Sequence, residues 1–107
     1  MTKYKAQPVV IDGIRFASKL EGRYYTNLKL LQRAGEVTNV ELQKPFALTV
    51  NGHLIGTYRC DFAFWDMKEK RERIIDCKGI ETREFRRTKK LVKAIHGVDI
   101  EVVKEVR

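Results

Sequence analysis

Cysteine is scarce in this chain: Cys60 and Cys77 stand alone, with sixteen residues between them and no C-x-x-C. A structural zinc site takes four ligands, and His53 and His96 add no zinc-ligand spacing, so structural zinc is set aside. Two buried thiols in a reducing compartment is the reading that remains. No apolar run reaches the length of a membrane span, and the opening "MTKYKAQPVVIDG" has no apolar h-region. The expectation is therefore a cytoplasmic protein with neither a signal peptide nor a membrane-spanning helix. Repeats and low-complexity linkers are also missing, so residues 1–107 read as one domain.

What the chain has in excess is charge. Its charged fraction is 34%, against an average of about 25%. There are 22 basic and 14 acidic residues, a net charge of +8. That balance favours a polyanionic partner, because each Lys or Arg on a phosphate releases a condensed counterion. A merely soluble basic protein accounts for the charge equally well.

The apolar pattern alternates between strand and helix. "VVIDGIRF" (residues 9–16) holds two short apolar runs around Asp12-Gly13, a pair suited to a type I′ hairpin turn. Ser18 is a helix N-cap, Leu20, Tyr24, Leu28 and Leu31 recur at helical spacing, and Gly35 is a stop. The spacing predicts a helix over 19–34 with Tyr24 in the core; Tyr25 and Trp65 stay open as core or as base-stacking residues. Strands follow at 40–42 and 46–50, then an Asn51-Gly52 turn, one long strand over 57–65, a polar loop and the strand "RIIDCK". A second helix over 81–96 shows Phe85, Val92 and Ile95 on one face, helped by Leu91; Gly97 ends it, and Val98, Ile100 and Val102 alternate in a last strand. The expected fold is α/β: a mixed sheet of three or so strands between two helices and a last strand, abbreviated αβββαβ, with an N-terminal hairpin.

The stretch "IIDCKG" (residues 74–79) puts an acid and a base into an apolar strand. Charges at such positions are costly to desolvate unless they are paired or bind an ion. Residues two apart in a strand share a face, so Asp76 and Lys78 point one way and Ile75 and Cys77 the other. A turn centred near Lys68-Glu69 sets Asp61 opposite Asp76 on the neighbouring strand; Asp61 itself should face away from Cys60, Phe62 and Phe64. Two adjacent carboxylates repel unless a cation intervenes, and carboxylate oxygens are what Mg²⁺ selects. A cross-strand salt bridge to Lys78 on a solvated face is the plain alternative. Glu21 is likewise open between two roles, because Ser18-x-x-Glu21 is also a capping box.

In "VVIDGIRFASKLEGRYYTNLKLLQRAGEV", "CDFAFWD" and "IIDCKG", taken in that order, the chain resembles the PD-(D/E)XK nuclease superfamily, and most closely its small phage-encoded, Holliday-junction-resolvase-like members. The likeness runs over roughly residues 9–103. Cys60 stands where the motif has Pro, and the middle acid is Asp rather than Glu. The resemblance implies a restriction-endonuclease-like core and a metal-dependent DNA endonuclease. Asp61 and Asp76 would ligate Mg²⁺ or Mn²⁺ with the Cys77 backbone carbonyl. Lys78 would handle the attacking water and the phosphate charge, and Glu21 would supply a further acid from the first helix. A chain this small leaves little for a specificity domain, so a homodimer presenting two sites to branched DNA such as a Holliday junction is expected. The resemblance implies a role in phage recombination or packaging, in the host cytoplasm.

The second helix carries Arg83, Arg86, Arg87, Lys89, Lys90 and Lys93, six bases in eleven positions. They are candidates for holding DNA backbone across the site without reading sequence; a solvated face is the alternative. His53 and His96 fit no catalytic arrangement. Two rival functions stand beside the nuclease: a non-catalytic basic DNA-binding module, and an interaction protein whose basic surface meets an acidic partner.

Overall fold

The computed structural model describes residues 6–106; the first five residues of the N-terminal segment read above lie outside that range. The chain runs β1 (Val9–Ile11), β2 (Ile14–Phe16), α1 (Lys19–Arg33), β3 (Val37–Leu42), β4 (Pro45–Val50), β5 (His53–Arg59), β6 (Phe62–Asp66), β7 (Arg71–Cys77), α2 (Arg83–His96) and β8 (Ile100–Val103). The central sheet has the order β3-β6-β7-β8. Its first three strands are antiparallel, and β8 returns parallel to β7 after α2. It is thus a mixed α/β fold with two helices, and two separate hairpins, β1-β2 and β4-β5, are added to it.

Local chemistry explains the elements. Asp12 and Gly13 take φ of 53° and 75°, the left-handed pair a type I′ turn needs. Ser18 Oγ accepts from the Glu21 N–H at 3.1 Å and caps α1, while Thr82 caps α2 the same way through Phe85 at 3.1 Å. Gly97, left-handed at φ 69°, ends α2. The β6 and β7 strands are covered on both faces, which is why "FAF" and "IIDC" read as continuous buried runs. Phe16, Tyr25, Leu28, Phe62, Phe64 and Ile75 form the core on the α1 side. Phe46, Tyr58, Cys60, Ala63, Ile74, Phe85, Val92 and Ile100 form the core on the α2 side. Arg73 on β7 holds both oxygens of Glu101 on β8, at 2.9 and 2.6 Å, and reaches Asp66 on β6 at 3.2 Å.

Three expectations are corrected. The long strand over 57–65 is two strands in two sheets: β5 ends at Arg59 in the hairpin, and β6 begins at Phe62 in the central sheet. Because the chain changes sheets there, side-chain alternation is reset, and Cys60 packs with the α2-side core rather than with Phe62 and Phe64. Tyr25, not Tyr24, is the fully buried tyrosine of α1, its hydroxyl donating to Asp12 Oδ2 at 2.9 Å; Tyr24 is half-buried against Phe62. Leu31 and Leu91 are exposed instead of core.

Gly22 is where α1 meets the N-terminal hairpin: a Cβ there would sit 2.7 Å from Val9 Cγ2 and 3.0 Å from Ile11 Cδ1. In an open helix, Gly→Ala gains about 1 kcal/mol, but forcing a methyl into this contact costs about 1–3 kcal/mol. Gly22→Ala should therefore melt below the wild type. A higher melting temperature would show that the hairpin gives way freely.

Candidate nucleic-acid-cleaving site

The break between β5 and β6 builds the site. Released from the hairpin, Asp61 donates its N–H to the Ile75 carbonyl at 3.0 Å, and its Oδ2 accepts the Cys77 N–H at 2.7 Å. With Phe62 paired to Ile75, this sets Asp61 opposite Asp76, the register expected from the short polar turn. Asp76 is 4% exposed. Its Oδ2 accepts the Tyr58 hydroxyl at 2.5 Å and its Oδ1 lies 3.4 Å from Lys78 Nζ. Lys78 follows the last residue of β7, its N–H held by the Val103 carbonyl and its Nζ 4.5 Å from the centre of the Phe85 ring.

Glu21 arrives from the first turn of α1. Its Oε2 accepts the Ala17 N–H at 3.2 Å, one residue upstream of the capping-box position, and the residue still lines the same cavity as Asp61, Asp76 and Lys78. Capping and facing the site, set against each other in the sequence, coexist here. The cavity holds about 400 Å³ and is also bordered by Tyr58, Arg59, Cys77 and, from the start of α2, Thr82, Glu84, Phe85 and Thr88.

The electrostatics follow from this crowding. Burial, with the Asp76 and Glu21 charges behind it, pushes the Asp61 carboxyl up to about 7 against the pull of the Cys77 N–H. Burial also raises Glu21, assisted by Asp76 and opposed by the Ala17 hydrogen bond and Lys78. Cys60 is pushed up to about 11 and Cys77 higher still, chiefly by burial, so both thiols stay protonated and unreactive near neutrality. Among the described residues, no three Asp, Glu, His or Cys side chains are gathered tightly enough to enclose a metal ion by themselves. Mg²⁺ asks for less: it is usually bound through one or two carboxylates and keeps several waters. Asp61 and Asp76 are the carboxylates that stand opposed on adjacent strands and line this cavity.

The chain belongs to the DUF1064 family. This family, described as a protein of unknown function, matches residues 1–104. No curated protein and no solved structure matches the chain.

The bases of α2 divide in a way the DUF1064 sequence did not announce. Arg86, Lys89, Lys90 and Lys93 line a separate groove with Glu81 and Asp99, while the α2 side chains bordering the carboxylate cavity are Glu84, Phe85 and Thr88. The expected basic wall directly across the site is thus turned to one side, and Arg83 and Arg87 border neither space. Lys93 is paired with Asp99 at 2.9 Å, and Arg86 donates to the Glu81 carbonyl at 2.8 Å. The sequence did not point to Tyr58 or Arg59: both sit on the hairpin, and nothing local signals that Tyr58 bonds to Asp76 on β7 or that Arg59 borders the cavity. His96 closes the hairpin onto α2, its Nε2 2.6 Å from the Ala47 carbonyl.

Proposed function

We propose that this protein is a metal-dependent DNA endonuclease with a restriction-endonuclease-like core, hydrolysing phosphodiester bonds with structure rather than sequence selectivity. One observation carries the reading: Asp61 and Asp76 stand opposed on adjacent strands, with Lys78 and Glu21 in the same cavity. Five strands separate the two helices rather than the three of the expected αβββαβ order; with the separate β4-β5 hairpin set aside, α1, β3, β6, β7, α2 and β8 remain, which supports the reading. Asp61 and Asp76 would hold Mg²⁺ or Mn²⁺, with Glu21 and the Cys77 carbonyl as further ligands. A divalent ion there would lower the pKa of bound water and polarise a phosphoryl oxygen. Tyr58 fixes the Asp76 carboxylate through its hydroxyl. Lys78 stands where an ammonium can orient the attacking water and offset charge growing on the phosphate. The substrate is branched DNA such as a four-way junction, cut by a homodimer in phage recombination or packaging. A phage-encoded nuclease of this kind would act in the host cytoplasm. No helix among the described residues is long and apolar enough to cross a membrane.

The test is incubation with linear, nicked, single-stranded and four-way DNA, with and without Mg²⁺ or Mn²⁺. Cleavage only with metal supports the nuclease. Salt-sensitive binding with no cleavage under any ion leaves the non-catalytic DNA-binding module, in which Lys78–Asp76 is a structural ion pair.

The groove on α2 makes a separate prediction. Arg86→Ala with Lys90→Ala should weaken binding to all DNA sequences alike. It should also flatten the log–log salt dependence by up to about two units. An unchanged slope would mean that these side chains meet only water.

A further inference from the structure

The β4-β5 hairpin is the least charged part of a highly charged chain. From Pro45 to Tyr58, fourteen residues carry no Asp, Glu, Lys or Arg, the longest such stretch in the sequence. The root of the hairpin is anchored: Phe46 and Tyr58 are buried in the α2-side core, and β4 packs on α2. The outer half is not. Val50 is 50% exposed, Leu54 65% and Ile55 68%. The ladder shifts register between Leu48 and Thr49, so Leu54 and Ile55 together oppose Thr49. Such a bulge crowds two aliphatic side chains at one place on the rim. The other exposed large hydrophobics are spread over other segments: Val10, Leu30 with Leu31, Trp65 with Met67, Ile80 and Leu91. Of all of them, Leu54 and Ile55 are the one adjacent pair in which each side chain is more than 60% exposed.

We propose that this apolar hairpin tip is the surface through which two copies of the chain pair. The step deepens the dimer named in the reading above by locating its contact, and it rests on that reading only for the dimer's use. Charge decides the occupant. Two chains of net charge +8 repel over most of their surfaces, and a two-fold contact sets like against like. The uncharged ribbon is where copies can approach without that cost. DNA is the weaker occupant, because the counterion release that drives phosphate binding comes from Lys and Arg, and residues 45–58, which include the whole exposed tip, have neither. The contact also bears on the site, since β5 runs from Leu54 and Ile55 to Tyr58, whose hydroxyl holds Asp76.

The experiment is sedimentation velocity of the full chain over a dilution series, beside Leu54→Lys/Ile55→Lys. The wild type should show twice the 12.5 kDa chain mass. The double variant should dissociate at least about thirtyfold more readily, the loss expected when a buried anchor is removed, with unchanged far-UV circular dichroism. Should the variant misfold, amide exchange on the wild type decides: β5 amides should be better protected in concentrated than in dilute solution. A wild type monomeric throughout, a variant that pairs as well as the wild type, or concentration-independent exchange overturns the proposal. So does a variant with unchanged mass but reduced affinity for duplex DNA, which would make the ribbon a nucleic-acid contact. A dimer that cuts nothing retains this contact and removes the nuclease; a monomer that cuts does the reverse.

Discussion

Asp76→Ala should lower metal-dependent DNA cleavage by at least about a hundredfold. Substitutions in the shell behind a metal ligand already cost about 10–100-fold, and Asp76 is placed to be a ligand. DNA affinity should hold or rise, because the change removes a negative charge from the surface that would face phosphate. The alanine also strands the Tyr58 hydroxyl, which donates to Asp76, and a buried donor left unpaired costs about 1–3 kcal/mol. Asp76→Asn is therefore the companion: its amide oxygen can still accept from Tyr58, while the charge a cation needs is gone. Both variants should be inactive and only the alanine should melt early. Cleavage by Asp76→Asn within tenfold of wild type would contradict a metal role for this residue.

The parts of this site that were legible in the sequence are those fixed by short-range rules. Asp12-Gly13 specifies its own turn, Ser18 caps the helix that follows it, and the short polar loop between β6 and β7 leaves little freedom of register. From that register alone Asp61 comes opposite Asp76. What was not legible depends on where a segment finds its partner. "TYRCDFAFW" has the composition of one strand, yet the chain leaves the hairpin at Arg59 and enters the central sheet at Phe62. Nothing between them marks the change except Asp61, whose backbone and carboxylate both bond to β7. Tyr58 reaches Asp76 for the same reason, across a contact between two sheets. The rotation of α2 was hidden too: Phe85 and Val92 fix its buried face, but not which flanking face turns to the cavity.

That placement of Asp61 has a consequence readable without any substrate. Unfolded, its carboxyl titrates near the ordinary 3.8; folded, burial beside Asp76 and Glu21 raises it to about 7. Between those values the folded protein holds a proton that the unfolded chain has lost, so metal-free stability should fall as pH rises through this window. At 1.36 kcal/mol per unit the full loss is about 4 kcal/mol, an upper bound because Glu21 and Asp76 share the repulsion. Asp61→Asn should remove most of this slope: its side-chain oxygen can still accept the Cys77 N–H, but no charge develops. In guanidinium melts with a chelator, the wild type should be clearly weaker at pH 8 than at pH 5. Asp61→Asn should be nearly level and more stable than wild type at pH 8. Mg²⁺ or Mn²⁺ should restore the wild type at pH 8 and do little for Asp61→Asn. A pH slope that survives Asp61→Asn would place the titration on other groups, and a wild type indifferent to both ions would take the cation away from this cavity.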